Sequence, residues 1–295
     1  MNDREMNGKV ISEIFYEELR EFVNKTDKHP KIVDISIGDD FASKKYVNIK
    51  KKTFKEKTKI DFFSVHFEKI TSFELIDFIK KLNNDPLVHG IMIQLPLPKY
   101  LLKDERLILD SILVEKDIDG LTSTSLGLLD SCNRGFVPCT ALGIEFLLKA
   151  YNISLKGKLV AVVNRSNIIG KPVAKLLLKD DATVIMCHSK TENLKDITKK
   201  CDIVIIAINK EEYFDSDFFM EDAIVIDCGI HKNINGKIVG DVKYNDVINK
   251  VSLITPAING IGPMTICMLA YNSYKTIYKD IDLILDNVLK RISNN

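Results

Sequence analysis

A pair of α/β domains is the fold class that this 295-residue sequence predicts. Helix-period and strand-period apolar patterns alternate along most of the chain. A turn-rich stretch, residues 95–140, splits that alternation into two series, and the length suffices for two modest cores. In order, residues 11–23 carry apolar side chains at helical spacing (Ile11, Ile14, Phe15, Leu19, Phe22 and Val23) and predict a first helix. Residues 31–37 are β-branched and end at Gly38, which predicts a strand feeding a second helix; Asp39, Asp40 and Ser43 are its candidate caps. A strand is expected at 61–66, a helix at 73–82 and a third strand at 89–94, together a parallel unit. The turn-rich stretch holds Lys116-Asp117-Ile118-Asp119-Gly120-Leu121-Thr122-Ser123 and Pro138-Cys139-Thr140, and the first domain is expected to end near Pro138. A second series then starts: strand 159–163, helix 171–178, strands 183–186, 203–207 and 224–227, a last helix at 265–278 and an amphipathic tail.

Composition narrows the function classes. Hydrophobic residues make up 45% and charged residues 28%, as in an ordinary globular protein. The formal net charge of +1 argues against the strongly basic footprint of a dedicated nucleic-acid binder. The lysine-dense residues 44–59 read as a solvated helix face, with attraction of an anionic substrate tail as the alternative. Six cysteines (Cys132, Cys139, Cys187, Cys201, Cys228 and Cys267) are scattered without a CxxC pair or a His/Cys cluster, which predicts reduced thiols and no metal site. The first residues are charged at once (Asp3, Arg4, Glu5), and no apolar run reaches membrane-spanning length. The expectation is a cytoplasmic protein with neither a membrane nor a nucleic-acid partner.

Within the second predicted helix, Tyr46 and Lys50 lie four residues apart, so a phenol and an amine share one face. Read alone, such a pair is an ordinary surface neighbour relation. Downstream, the apolar strand is followed by Gln94-Leu95-Pro96-Leu97-Pro98. A glutamine at the end of a strand that stops at two prolines suggests a polar group delivered to a cleft. Tyr46, Lys50 and Gln94 are therefore the leading site candidates.

In the second series, Val160-Ala161-Val162-Val163-Asn164-Arg165-Ser166-Asn167-Ile168-Ile169-Gly170-Lys171-Pro172 is a buried strand, a polar turn and a helix start. Phosphate-binding loops have this arrangement, because N–H groups at the helix N-terminus face the anion. GxGxxG is absent, so the loop alone does not separate a dinucleotide site from any strand-to-helix turn. The next strand ends Cys187-His188-Ser189-Lys190-Thr191, with no acid before Glu192 to hold a ribose 2′-hydroxyl. Hydroxyl and cationic groups there, with Arg165, suit a 2′-phosphate, and the expected cofactor is NADP. His188 has no second histidine at ligand spacing and reads as a polar strand end. Late in the chain, Thr255-Pro256-Ala257-Ile258-Asn259-Gly260-Ile261-Gly262-Pro263-Met264-Thr265 reads as a Gly/Pro loop opening the last helix. It is either a plain helix start, with Thr265 available to cap, or a loop that lets its backbone approach a ligand.

Taken together these segments resemble the methylenetetrahydrofolate dehydrogenase/cyclohydrolase family nearly end to end. The matching pieces are Asn7-Gly8-Lys9, Gly38-Asp39 with Ala42-Ser43 and Tyr46-Val47, residues 90–98, residues 116–120 and Pro138-Cys139-Thr140. They continue with Arg165-Ser166 and Gly170-Lys171-Pro172, His188-Ser189-Lys190-Thr191, Ile226-Asp227-Cys228-Gly229-Ile230, Gly240-Asp241-Val242 and Gly262-Pro263-Met264-Thr265. Each is weak alone; their order and spacing are specific. The resemblance implies a folate-binding catalytic domain at 1–138, with a C-terminal helix (268–295) packed back onto it. It also implies a Rossmann-like NAD(P)-binding domain at 139–267 and an active-site cleft between the two. It implies a homodimer that oxidises 5,10-methylenetetrahydrofolate with NADP to the methenyl form and hydrolyses that to 10-formyltetrahydrofolate. By match to the motifs, Lys50 would be the catalytic lysine, Tyr46 would pack on the folate, Gln94 would hydrogen-bond near Lys50, and Asp119 would hold the pterin. Ile93, Leu95, Asn259, Gly260, Gly262 and Pro263 would complete the folate site. Asn164, Arg165, Ser166, Ser189, Cys228, Ile230 and Thr265 would line the dinucleotide site.

The chemistry suits those residue types. Hydride transfer needs positioning, because a folate nitrogen can push the hydride out. Hydrolysis needs a base, and a desolvated lysine beside a cationic intermediate can serve as one. The chain also departs from the family pattern. Asn164, Asn209 and Asn259 stand where glycine is usual, and asparagine tolerates left-handed backbone. Ile258 and Ala141 replace usual prolines, and Ser125 and His231 replace usual asparagines. Two alternatives stay open: an NAD-dependent dehydrogenase without cyclohydrolase, and a non-catalytic folate- or nucleotide-binding paralogue. Retention of Tyr46, Lys50, Gln94 and Asp119 argues against the first, and the asparagine-substituted loops motivate the second.

Overall fold

The computed structural model describes residues 3–39, 41–131 and 135–294, with only the backbone described for residues 41–45. Of the expected caps for the second helix, Asp40 and the side chain of Ser43 lie outside the described residues. The chain forms two compact units, one of Ile14–Cys139 with Ile266–Asn295, the other of Met1–Glu13 with Thr140–Thr265.

In the first unit a three-stranded parallel sheet is ordered β2-β1-β3, from β1 (Lys31–Ile37), β2 (Asp61–Phe67) and β3 (Gly90–Ile93). Helix α1 (Gly8–Val23) precedes β1, α2 (Phe41–Lys57) links β1 to β2, and α3 (Ser72–Asn84) links β2 to β3. Thr71 starts α3 with a capping box: its hydroxyl accepts the Glu74 N–H, and the Glu74 carboxylate accepts the Thr71 N–H. Side chains alternate across a strand, so β1 has two different faces. Val33, Ile35 and Ile37 join Ile91, Ile93, Leu75 and Ile79 in the core. Asp34 falls on the other face of β1, in register with Met92 of β3.

The sequence predicts turns through residues 95–140, and the structure instead places two short helices there, α4 (Glu105–Asp110) and α5 (Ser123–Asp130). Side-chain caps start α5: Thr122 accepts the Ser125 N–H, and the carboxylate of Asp110, at the end of α4, accepts the Ser123 N–H. The C-terminal segment packs on this same unit. Arg291 of α11 (Asp282–Ser293) pairs with Glu17 at 2.5 Å and Glu18 at 3.1 Å, and the Tyr278 hydroxyl donates to the Lys28 carbonyl at 2.9 Å.

The second unit holds a five-stranded parallel sheet ordered β10-β7-β6-β4-β5. Its strands are β4 (Leu159–Val163), β5 (Thr183–Cys187), β6 (Ile203–Ile206), β7 (Ile224–Asp227) and β10 (Leu253–Ile254). A small hairpin, β8 (His231–Lys232) with β9 (Ile238–Val239), follows β7. The helices α6 (Cys139–Ala150), α7 (Gly170–Lys179), α8 (Leu194–Thr198) and α9 (Tyr244–Val247) complete it, and α10 (Ile261–Lys275) continues past Thr265 into the first unit. Helix α6 is missing from the sequence reading. The parallel order reverses between β4 and β6, the switch point at which doubly wound sheets bind ligands.

Two boundaries differ from the sequence expectation. Residues 3–13 belong with the second unit, because this segment adds backbone bonds to β10: Met6 N–H to the Ile254 carbonyl and Ile254 N–H to the Arg4 carbonyl, both 2.9 Å. Tyr244 reinforces this by donating to the Glu5 carboxylate at 2.9 Å. The last helix opens at Ile261, four residues before the expected Thr265. Pro263 sits in its first turn, where a missing N–H costs nothing.

Candidate active site

The face of β1 and β3 turned away from the core carries Asp34, Met92 and Gln94, and α2 lays Lys50 on it. Asp34 and Lys50 are both fully buried. Lys50 Nζ lies 3.4 Å from Asp34 Oδ2 and 3.7 Å from the Met92 sulfur. Gln94 Nε2 donates to Asp34 Oδ1 at 2.5 Å, so one carboxylate joins the amine to the amide. Lys50 Nζ also sits 5.2 Å from the centre of the Tyr46 ring, one helical turn back on α2. The structure thus gathers Tyr46, Lys50 and Gln94 around Asp34, a residue the sequence reading leaves inside a plain strand. Its signal was the polar alternation Asp34/Ser36 within an apolar run. Burial raises the Asp34 carboxyl, opposed by the Lys50 charge and the Gln94 amide.

Asp119 reaches this group from the loop before α5. Asp117 builds that loop: its buried carboxylate accepts the Leu121 and Thr122 N–H groups at 3.1 and 2.8 Å and the Ser125 hydroxyl at 2.6 Å. Ser125 therefore works as a loop-holding hydroxyl. Gly120 has φ +68°, and a Cβ there would come within 2.7 Å of the Val137 carbonyl carbon, so only glycine fits the turn. Burial pushes the Asp119 carboxyl up to about 6; the Lys50 charge and the Cys139 thiol oppose this, and Asp117 and Asp34 add to it. From the other side, Asn272 of α10 donates to the Ile118 carbonyl at 2.8 Å and the Val137 carbonyl at 3.0 Å. Replacing Asn272 by alanine strips both buried carbonyls of a donor. The expected result is a loss of about 1–3 kcal/mol, read as a lower unfolding midpoint.

Of the other residues expected at the folate, Ile93 is a core side chain, so only its backbone is available to a ligand, and Leu95 is half-buried beside the same core. Asn259, Gly260, Gly262 and Pro263 lie in the second unit. Asn259 has φ +68°, the left-handed conformation expected there. A Cβ on Gly260 would lie 2.3 Å from the Pro256 carbonyl oxygen. Gly262 and Pro263 belong to the first turn of α10.

At the switch point of the second sheet, Asn164 behaves differently from the expectation. It is absent from the left-handed residues, which include Asn209 at φ +58°. Its amide bridges loops instead: Oδ1 accepts the Ser166 and Gly170 N–H groups at 2.8 and 3.0 Å, and Nδ2 donates to the Ala207 carbonyl at 2.5 Å. The Ser166 hydroxyl accepts the Ile169 N–H at 3.1 Å. Beyond β6, Asp241 fixes the next loop by accepting the Ile208 and Lys210 N–H groups at 2.7 and 2.8 Å and contacting His231 Nε2 at 2.8 Å. Asp227, at the end of β7, accepts the Gly229, Asp241 and Val242 N–H groups. Burial, with the charge of Asp241, raises its carboxyl to about 6 against those bonds.

The other residues expected at a dinucleotide fall around this framework. Arg165 and Ser189 are exposed, at the ends of the paired strands β4 and β5. Both would suit a phosphate. Ile230 is 59% exposed. Burial and the carboxylates of Asp227 and Asp241 push the Cys228 thiol up, so it is no thiolate nucleophile. Thr265 lies inside α10 rather than at its cap, and its hydroxyl donates to the Ile261 carbonyl at 3.2 Å. Among the described residues no group of three or more His, Cys, Asp and Glu side chains is placed to hold a metal ion.

Comparisons with known proteins give these two sites a context. The family model for the tetrahydrofolate dehydrogenase/cyclohydrolase catalytic domain matches residues 6–119, and the model for its NAD(P)-binding domain matches residues 138–281. The chain is 46% identical over 275 residues to the bifunctional protein FolD of Campylobacter hominis, covering 92% of this chain and 96% of that one. The crystal structure of the bifunctional enzyme FolD from Campylobacter jejuni superposes with TM-score 0.86 at 42% identity, covering 92% of this chain and 97% of that one. The Trypanosoma brucei N5,N10-methylenetetrahydrofolate dehydrogenase-cyclohydrolase, solved with NADP cofactor and an inhibitor, superposes with TM-score 0.83 at 32% identity over 91% of this chain and 94% of that one. With both domain models matched and relatives aligned over almost its whole length, the chain belongs to the tetrahydrofolate dehydrogenase/cyclohydrolase family.

Proposed function

We propose that this protein oxidises 5,10-methylenetetrahydrofolate to the methenyl form with NADP and hydrolyses that product to 10-formyltetrahydrofolate. The observation that carries the reading is the buried Lys50 amine, held against Asp34 and Gln94 and beside the Tyr46 ring. Tyr46 packs on the folate. Asp119, ionised above about pH 6, accepts N–H groups of the pterin. When bound, the dinucleotide supplies the oxidant, and the protein's part in that step is to hold the folate in place. In the second step water adds to the methenyl carbon and gives a proton to Lys50. The hydroxyl so formed then becomes the formyl C=O as one of that carbon's two C–N bonds breaks. The hydroxyl proton is balanced by the one the released nitrogen takes up, and the formyl group stays on the other nitrogen.

Exposed Arg165 and Ser189 at neighbouring strand ends, with no acid at the end of β5, support NADP over NAD. The same reading makes the protein a cytoplasmic homodimer. Edge strand β2, with Phe63 48% exposed, supports a second copy as partner. No helix among the described residues is long and apolar enough to cross a membrane.

The test is the absorbance of methenyltetrahydrofolate formed by purified protein with NADP and with NAD. A catalytic efficiency at least tenfold higher with NADP is expected. Faster turnover with NAD overturns the cofactor assignment, and tight folate binding without turnover on either dinucleotide overturns the enzyme reading.

A further inference from the structure

The geometry points to Asp34 as a positioning residue of the hydrolytic step: its carboxylate aligns Lys50 and Gln94 and stabilises the ammonium formed when Lys50 takes the proton of water. This rests on the proposed function above. Asp34 spends one oxygen on each partner, Oδ1 on the Gln94 amide at 2.5 Å and Oδ2 on Lys50 Nζ at 3.4 Å. Both carboxylate and amine are shut away from solvent, so their interaction is little screened. A buried carboxylate in an apolar strand is costly unless it is paired, and among the described residues its partners are these two site groups.

The alignment has a chemical reason. Lysine has a flexible four-carbon stem, and its amine needs an anchor to present a lone pair in one direction. Met92, in register with Asp34, gives the sulfur contact on the same side. Gln94 has two amide ends, and donation of Nε2 to Asp34 settles which end, the carbonyl oxygen, is left for a ligand. The proton balance closes without a further group. Water loses one proton to the Lys50 amine and the new ammonium pairs with Asp34. The second water proton is matched by the one gained on the released nitrogen as the C–N bond opens and the carbonyl forms, and the Lys50 proton then leaves to solvent. The titratable groups facing the pair are Tyr46 from α2, Asp119 from the loop before α5, whose carboxyl feels both Lys50 and Asp34, and the Cys139 thiol at the start of α6, which feels Lys50. This arrangement resembles the buried acid that orients a catalytic histidine and stabilises its cation.

Asp34→Asn keeps the shape and removes the charge. Its ratio of methenyl hydrolysis to methylene oxidation is expected to fall at least tenfold, mainly through kcat. The pH at which hydrolysis reaches half its maximum is expected to move down by about one unit, as loss of a neighbouring anion requires. Asp34→Asn added to Lys50→Met should lower hydrolysis no further, because two residues acting as one unit are not additive. A merely structural residue would move neither the ratio nor the pH profile and would add its loss in the double variant. If Asp34→Asn does not fold, Asp34→Ser, which leaves room for a water, is read by the same three measurements. Hydrolysis at the wild-type rate with an unchanged pH profile overturns the inference alone. A wild-type protein that turns over neither substrate overturns the proposed function beneath it.

Discussion

Replacing Lys50 by methionine is expected to lower methenyl hydrolysis about 10²–10⁴-fold, the range a positioned acid–base group contributes. Methionine nearly matches the length of the stem and deletes the amine. Oxidation should fall far less, because that step asks for positioning of the folate rather than a proton acceptor. The variant also carries a structural cost. Asp34 loses its Lys50 partner while remaining buried, and breaking one side of a buried pair costs up to roughly 3–5 kcal/mol unless the carboxylate takes up a proton. The second substitution Asp34→Asn should therefore raise the unfolding midpoint of the Lys50→Met protein. Hydrolysis at the wild-type rate in a folded Lys50→Met variant would remove Lys50 from the reaction.

Asp241→Ala is the second large effect. The carboxylate is fully buried and accepts the Ile208 and Lys210 N–H groups, with Asn209 N at 3.3 Å. Each donor left without an acceptor costs about 1–3 kcal/mol, so the sum is expected to be about 3 kcal/mol even after water enters and Asp227 is relieved of a like charge. The loop after β6 sits at the switch point, and dinucleotide affinity should fall at least tenfold with it. Calorimetric titration of NADP, set beside a thermal unfolding curve, reads both. Unchanged affinity would separate this loop from the cofactor site.

Much of this was legible in the sequence, and the gaps have physical causes. The parallel strands announced themselves as β-branched runs ending at glycine or a polar residue, and Tyr46 and Lys50 by their helical spacing. Asp34 stayed hidden because a strand's own pattern shows only that Asp34 and Ser36 share a face. What that face meets is set by register with β3 and by the path of α2. The helices in residues 95–140 are short, and α5 is held by side-chain caps from Thr122 and Asp110, which periodicity does not report. Asn209 and Asn259 take the left-handed conformation that the residue type suggests. Asn164 does not, because its amide found the Ala207 carbonyl, a partner 43 residues away in sequence. Chain order groups residues 3–13 with the first unit, whereas backbone bonds from Arg4 and Met6 to β10 place them with the second.

That Asn164 bridge bears on how a dinucleotide would be gripped. With Oδ1 holding the Ser166 and Gly170 amides, the loop's own side chain fixes its shape. Binding then spends little entropy on ordering it. The same two amides are bonded within the loop, so on the proposed site assignment an anion would be held by exposed side-chain cations such as Arg165 rather than by these backbone dipoles. A loop with a charged fringe trades directional contacts for long-range attraction, and cofactor affinity is then expected to fall as ionic strength rises.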